Sequence, residues 1–193
     1  MHARHRRALR ALALALPCAL VLGGCASMSK KDCLAGNWYE RGYEDADGGE
    51  TDDRLAAHAK ACAKVGVAPD ADTYGRGYAA GLVDYCTPER GYRLGSDARD
   101  YRGICPTETA RPFLGRYVDG LESALVERET DAVRAEAAFE RALTARAGIA
   151  RGQSTKRADA EVDAARATMD RLRSDRLDIR EKIRRWNAEL SAL

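Results

Sequence analysis

The sequence lacks the short motifs that mark common enzymes: it contains no G-x-S-x-G, no H-E-x-x-H and no Gly-rich phosphate loop. Histidine is scarce, with 3 in the chain, and two of these, His2 and His5, lie close to the N-terminus. Between Cys33 and Pro106, Val, Ile and Leu hardly ever alternate with polar residues as they do in β-strands. The chain therefore offers no recognised catalytic motif, and its middle part favours helices.

No excess of positive charge remains once the N-terminal segment is set aside. The chain has 32 Lys plus Arg and 30 Asp plus Glu, but the segment 1–24 holds four of the arginines and no acid. The remainder, 25–193, keeps 28 basic and 30 acidic groups, so the formal charge moves from +2 to −2. A nucleic-acid-binding role loses its electrostatic basis, and we expect no nucleic-acid partner.

The N-terminal segment, 1–24, has the layout of a signal peptide. A basic stretch at residues 2–10 precedes an apolar run at residues 11–22 and then two glycines. As a helix, this apolar run would span about 18 Å, well short of the roughly 30 Å hydrocarbon core of a bilayer. We therefore interpret residues 1–24 as a cleaved signal peptide and not as a membrane span.

The junction Leu22-Gly23-Gly24-Cys25 resembles the lipobox of bacterial lipoproteins. The resemblance implies that the Cys25 sulfur receives diacylglycerol, that cleavage occurs before Cys25, and that the new amino group is also acylated. Two or three acyl chains would anchor the protein stably to a membrane. Ala26 follows, and not the Asp that resembles an inner-membrane retention signal, so we expect the periplasmic side of the outer membrane. An ordinary secretory signal with an incidental Cys25 is the alternative.

Four cysteines remain after Cys18 leaves with the signal and Cys25 is acylated: Cys33, Cys62, Cys86 and Cys105. An oxidising compartment and the absence of a C-x-x-C pair favour two disulfides over a metal site or free thiols. Helices over about residues 34–46 and 51–64, joined by a turn at 47–49, would place Cys33 beside Cys62. This pairing leaves Cys86 for Cys105, although spacing alone does not fix connectivity.

Tyr-x-x-Gly occurs five times, beginning at Tyr39, Tyr74, Tyr78, Tyr92 and Tyr117, whereas about 0.7 are expected by chance. On a helix these residues share one face, so the small glycine allows a second backbone to approach closely. We interpret the motif as helix packing. The alternative is an aromatic ligand groove lined by Trp38, Tyr39, Tyr43, Tyr74 and Tyr78. The separations between motifs are too uneven for a solenoid.

Cysteines, aromatic residues and glycines from Cys33 to Gly120 together resemble an uncharacterised family of bacterial lipoproteins, domain of unknown function 2799. The residues that carry the resemblance are Cys33, Trp38, Gly42, Asp45, His58, Cys62, Tyr74, Gly77, Gly81, Leu82, Tyr85, Cys86, Thr87, Pro88, Gly91, Tyr92, Gly95, Tyr101, Cys105 and Pro106. It implies a cysteine-stapled periplasmic module and brings no activity with it.

His58 is the one histidine of the predicted mature chain, and Asp45 is its candidate acid/base partner. Alanines surround His58 in the sequence, which is more typical of a packed or hydrogen-bonded residue than of a catalyst. The enzymatic alternative is a cell-wall enzyme or small-ligand binder that uses a groove around Trp38, Tyr74 and His58. We predict no catalytic residues, no metal and no cofactor besides the lipid on Cys25.

Beyond Pro112 the composition becomes that of long helices. Apolar residues recur at spacings of three and four from Leu114 to Ala142 and from Val162 to Leu193, interrupted only by Arg128 and Arg176. A polar loop at residues 148–155 separates the two seams. This pattern predicts an antiparallel coiled-coil hairpin that either stands alone, recruits a protein partner or self-associates.

We therefore expect an all-α, disulfide-stapled lipoprotein that acts as a noncatalytic interaction or envelope-structural module. Its predicted parts are the signal peptide at 1–24, the acylated Cys25 with a polar tether at 25–32, the helical module at 33–111, and the hairpin at 112–193. The membrane, through the lipid, is the one partner that the sequence names.

Overall fold

A computed structural model describes residues 27–193, so the predicted signal peptide and Cys25 lie outside the described residues. All regular structure of these residues is helical and no strand occurs among them, which confirms the all-α class for this part. The helices are α1 (Lys30–Ala35), α2 (Trp38–Asp47), α3 (Arg54–Cys62), α4 (Ala71–Tyr85), α5 (Pro88–Ser96), α6 (Thr107–Ala147) and α7 (Lys156–Ala192). A short 3-10 turn, Ala63–Val65, extends α3.

Local sequence signals explain where several helices begin and end. The Asp70 side chain accepts a hydrogen bond from the Thr73 backbone N–H and so caps α4, while Thr87 caps α5 ahead of Pro88. Gly36 has a φ of +67° and ends α1. The single helix predicted over residues 34–46 is therefore wrong: it is two helices, because the left-handed glycine interrupts it.

Two pairs of helices cross at very close range, α2 with α4 and α5 with α6. A Cβ atom built on Gly77 of α4 would lie within 3.0 Å of the Tyr39 carbonyl oxygen in α2, and one on Gly42 would meet Tyr74 in the same way. Real Cβ atoms essentially never approach that closely. The glycines therefore let the two helix backbones touch, which confirms the packing interpretation of the Tyr-x-x-Gly motif.

The second crossing repeats the first. Gly95 of α5 lies against the carbonyl of Tyr117, and Gly120 of α6 lies against that of Tyr92, so each glycine again contacts the tyrosine of the opposite motif. Disulfides join Cys33 to Cys62 and Cys86 to Cys105, with Cα atoms 5.3 and 5.6 Å apart. These are the pairs that the sequence favours. Each crossing thus has its own disulfide.

The spacing of the residues shows that the two crossings are copies of one unit. The first cysteine of each disulfide precedes its tyrosine by six residues, Cys33 to Tyr39 and Cys86 to Tyr92. The second cysteine precedes its tyrosine by twelve residues in both units, Cys62 to Tyr74 and Cys105 to Tyr117. Two copies of one structural unit therefore follow each other between residues 33 and 124. Two copies do not make a solenoid.

Helix α6 runs through the predicted boundary between residues 111 and 112. Its first part packs on α5 through Phe113 and Tyr117, whose carbonyls lie against Gly91 and Gly95, and its later part contacts α7. No loop interrupts the chain at this predicted boundary. Pro112 lies near the helix start, where a proline removes one backbone hydrogen bond.

Helix α7 packs along α6 and reaches back to the second crossing. Lys182 donates a hydrogen bond to the Ala98 carbonyl at 2.9 Å and pairs with Asp100 at 2.8 Å. Trp186 is 6% exposed and lies against the ring of Tyr101, with centroids 4.9 Å apart. Trp186 therefore closes the core of the second crossing.

Candidate functional site

The polar side chains most deeply buried in the first crossing form one hydrogen-bonded network. His58 Nε2 lies 2.7 Å from Asp45 Oδ2, and the Tyr74 hydroxyl donates to the same oxygen at 2.8 Å. Asp45, His58 and Tyr74 are 7%, 1% and 2% exposed, and they come from α2, α3 and α4. We call these three residues the buried triad. It joins α3 to the two helices of the first crossing, α2 and α4.

The segment that follows Cys25 is part of the same network. The Ser27 hydroxyl lies 2.9 Å from His58 Nδ1, and Met28 is 6% exposed and packs against Cys62. Ser29 then caps α1. Within the predicted tether at 25–32, Met28 is therefore buried in the core and Ser27 lies beside the remaining nitrogen of His58.

Burial determines the ionisation of the tyrosine in this network. Desolvation raises the pKa of Tyr74 strongly, and the hydrogen bond to Asp45 and the Asp45 charge raise it further. The Tyr74 hydroxyl thus keeps its proton and donates it to Asp45, which accepts a second hydrogen bond from His58. The most economical assignment has the Nε2–H of His58 donating to Asp45 while Nδ1 accepts from Ser27.

This arrangement contains a serine, a histidine and an aspartate in hydrogen-bonded series, which is also the order of a hydrolytic triad. Here, however, the imidazole is 1% exposed and both of its nitrogens are occupied by protein groups. Among residues 27–193, neither nitrogen is left open to a substrate atom. The geometry therefore serves to hold the segment around Ser27 and the three helices together.

The five aromatic residues of the predicted ligand groove do not share one surface. Trp38 and Tyr74 are buried in the core of the first crossing, and the partly buried Tyr78 packs beside them. Tyr43 donates a hydrogen bond to Asp84 at 2.7 Å, while Tyr39 is 49% exposed. The groove is not formed because the tyrosines flank a closed helix crossing and several of them bond within it.

A shallow polar cleft of about 190 Å³ lies beside α1 and the start of α2. Its lining is Met28, Asp32, Ala35, Asn37, Glu40, Arg41 and Glu44. None of these is a member of the buried triad, so the cleft gives no access to His58.

Comparison with protein families bears on this crossing and its repeat. Residues 37–122 match the model of a family described as protein of unknown function (DUF2799). We call residues 37–122 the DUF2799 segment. The match confirms the family resemblance over these residues, and the family carries no catalytic assignment. Comparisons with curated proteins and with solved structures give no match.

The DUF2799 segment contains the buried triad and nearly all of both crossings. In the second crossing Tyr101 occupies the place of His58, since each lies four residues before the second cysteine of its unit. Tyr101 is 5% exposed and packs on Phe113 and Tyr117. The polar network of the first unit is thus replaced by an aromatic cluster in the second.

Sequence reasoning named Asp45, His58 and Tyr74 but missed Ser27 and the duplication. The equal cysteine-to-tyrosine separations of six and twelve residues were the available signal for the repeat. No pattern pointed to Ser27. Among residues 27–193, no group of three metal-ligating side chains occurs, and no helix is long and apolar enough to span a bilayer.

Because the DUF2799 segment contains buried tyrosines, we expect the free energy of unfolding to fall at alkaline pH. Burial raises the pKa of Tyr78, Tyr101 and Tyr117 to about 12 from an ordinary value of 10.0. Well below pH 10 these three tyrosines are protonated in both the folded and the unfolded chain. Between about pH 10 and 12 the unfolded chain loses protons that the folded chain keeps, so the free energy of unfolding falls as pH rises.

Between these pH values, we expect each such tyrosine to lower the free energy of unfolding by up to about 1.4 kcal/mol per pH unit. Urea unfolding at a series of alkaline pH values, with tyrosinate absorbance recorded in parallel, measures it. Tyr101→Phe removes one titrating group and should reduce the slope. A free energy of unfolding that stays constant up to about pH 11.5 would contradict the argument.

Proposed function

We propose that the protein is a lipoprotein anchored through Cys25 to the periplasmic side of the outer membrane, acting as a noncatalytic interaction or envelope-structural module. Residues 1–24 are its signal peptide. The DUF2799 segment together with α1 is its disulfide-stapled base, and α6 and α7 form an antiparallel coiled-coil hairpin that continues from this base.

The observation that carries the proposal is the fixation of Ser27 on buried His58. Cys25 lies two positions before Ser27, so the Cα atom of an acylated Cys25 is within about 7 Å of a residue docked on the module. Such a connection holds the first crossing against the bilayer surface. It also uses the acid/base candidates His58 and Asp45 for structure, which favours a noncatalytic role.

Contacts between α6 and α7 support the hairpin. Along α6 the contacting residue number rises while the number on α7 falls, in the pairs Tyr117 with Trp186, Glu129 with Arg180, Phe139 with Arg166 and Arg146 with Asp159. Seam residues Leu121, Ala135, Leu172 and Ile179 are buried. Both features are typical of antiparallel helices that pack through a seam.

Replacing the acylated cysteine tests the anchor. We expect Cys25→Ser to reduce the detergent-phase or membrane-bound fraction of the protein from nearly all to less than about a tenth, since a single sulfur carries the anchor. Phase partitioning, membrane fractionation and fatty-acid labelling measure this fraction.

The matched control is Cys18→Ser, which changes the other cysteine that lies outside the described residues. It should leave partitioning unchanged, because the proposal places Cys18 in the discarded signal peptide. Ala26→Asp should shift the protein from the outer to the inner membrane. Unchanged membrane binding of the Cys25→Ser chain would overturn the proposed anchor.

A further inference from the structure

The middle of the two long helices exposes large aliphatic side chains on one side. Val126 and Val133 of α6 are 64% and 68% exposed, and Leu177 of α7 is 58% exposed. Val126 and Val133 are seven residues apart and so share a helix face. Leu177 borders a cleft of about 410 Å³ between α6 and α7.

Charged residues of opposite sign accompany these aliphatic side chains on the two helices. At spacings of four and three, α6 carries an acidic stripe: Glu122, Val126, Glu129, Val133, Glu136 and Glu140. With the same spacings, α7 carries a basic stripe: Arg166, Asp170, Arg173, Leu177, Arg180 and Arg184. Such spacing places each stripe on one face of its helix.

The acidic and the basic stripe border the same cleft. Its lining includes Glu136 from the acidic stripe and Asp170, Arg173, Leu177 and Arg180 from the basic stripe. Arg180, one of the lining residues, pairs with Glu129 of α6 at 2.7 Å. The two stripes therefore form one continuous surface with an acidic edge and a basic edge.

Several charges of this surface lack an opposite partner. Within residues 27–193, Glu136, Glu140, Arg166 and Arg173 form no salt bridge with one another or with other side chains. Arg176 also lines the cleft, and its buried Nε atom has no hydrogen-bond partner among these residues. The surface therefore has unused donors and acceptors of both signs.

We propose that this surface binds a second copy of the chain, with the two-fold axis parallel to α6 and α7. The proposal rests on the antiparallel hairpin proposed above. Rotation about that axis places the acidic stripe of one copy opposite the basic stripe of the other, in which Asp170 is the one acid. Because Glu129 lies level with Arg180, Glu136, seven residues further along α6, lies level with Arg173. Glu136 of each copy thus faces the partner's Arg173.

The charge pattern selects this arrangement over the other two-fold arrangement. A two-fold axis across the helices would bring the acidic stripe against itself, and like charges facing each other at an interface are unfavourable. It would also place the two N-terminal ends at opposite ends of the dimer. The parallel axis keeps both N-terminal ends on one side, so both Cys25 anchors reach one membrane.

The size of the surface sets the expected affinity. The stripes extend from Glu122 to Glu140, or about 27 Å of helix. Two helices about 10 Å wide then offer about 500 Å² per copy, or about 1,000 Å² in total, near the lower limit for a specific interface. Association should be weak in solution and stronger when both copies share a bilayer.

Charge reversal in separate chains tests the arrangement. We expect Glu136→Arg or Arg173→Glu alone to weaken association of the full chain at least tenfold, because each homodimer then repeats a like-charge contact twice. An equal mixture of the two variants should associate within about threefold of the wild type, since both contacts are again between opposite charges. Sedimentation equilibrium in detergent measures all three samples.

The matched control is Arg171→Glu, which makes the same charge change two residues from Arg173 and outside both stripes. It should associate like the wild type, and circular dichroism should show native helicity for every variant. If a reversal unfolds the chain, Val133→Ser provides a second variant at an exposed position, and it too should weaken association.

Three results would overturn the dimer: a wild-type chain that stays monomeric up to about 200 µM, single reversals that associate normally, or folded variants whose mixture stays monomeric. The Cys25→Ser chain should dimerise in detergent like the wild type. Loss of anchoring and loss of dimerisation are therefore separate outcomes, and failure of the lipoprotein proposal leaves this test intact.

Discussion

Gly77→Ala should destabilise the protein by more than about 3 kcal/mol, a large part of the free energy of unfolding of an ordinary domain. The added Cβ would overlap the carbonyl oxygen, carbonyl carbon and Cα atom of Tyr39. These are backbone atoms of a packed helix, so no side-chain rotation relieves the overlap and α2 must move away from α4. Urea unfolding followed by circular dichroism measures the change.

Helix α4 contains its own control for this substitution. Gly75 lies two residues before Gly77, and a Cβ built there has no heavy atom within 4 Å. Gly75→Ala should be neutral or stabilising by up to about 1 kcal/mol, because alanine has the higher helix propensity. In the second crossing, Gly120→Ala and Gly115→Ala form the same contrast. Equal stability of the Gly77→Ala and Gly75→Ala chains would contradict the close-packing argument.

Asp45→Ala should destabilise the first crossing by about 3 to 5 kcal/mol, since it removes the acceptor of two buried donors. His58 Nε2 and the Tyr74 hydroxyl both bond to Asp45 Oδ2, and all three side chains are nearly inaccessible to water. Asp45→Asn keeps an oxygen acceptor and should have a smaller effect. The free energy of unfolding in urea, measured near neutral pH, tests both variants.

The matched control for Asp45 is Asp47, on the same helix. Asp47 pairs with Arg90 at 3.1 Å, but its side chain is 39% exposed. Asp47→Ala should therefore reduce the free energy of unfolding by no more than about 1 kcal/mol. If Asp45→Ala is no more harmful than Asp47→Ala, the buried triad does not stabilise the fold as argued.

Much of the helical content could be predicted from sequence because it depends on local signals. Periodic apolar residues marked α6 and α7, and the small residue of Tyr-x-x-Gly marked the helix faces that touch. The break at Gly36 was missed because a glycine's left-handed φ depends on the chain around it. The change of composition at Pro112 predicted a boundary, but it does not coincide with a helix end, since α6 continues through it.

The candidate site was only partly predictable. Asp45 and His58 could be paired as the acid and the single histidine of one module, but the role of Tyr74 as a second donor needed the helix crossing. Ser27 reaches His58 from 31 residues away, and such a contact leaves no periodic trace. The duplication was hidden because its two tyrosines are separated by unequal stretches of chain, Tyr39 to Tyr74 in one unit and the shorter Tyr92 to Tyr117 in the other.

Helix α6 has 41 residues and belongs both to the second crossing and to the pair with α7. At a rise of about 1.5 Å per residue it is about 60 Å long, and no loop divides its two roles. Because the helix is continuous, we expect a force or torque applied near residues 148–155 to be transmitted along α6 to the backbone contacts at Gly95 and Gly120. These contacts should respond first, since the two helix backbones have the least room to move there.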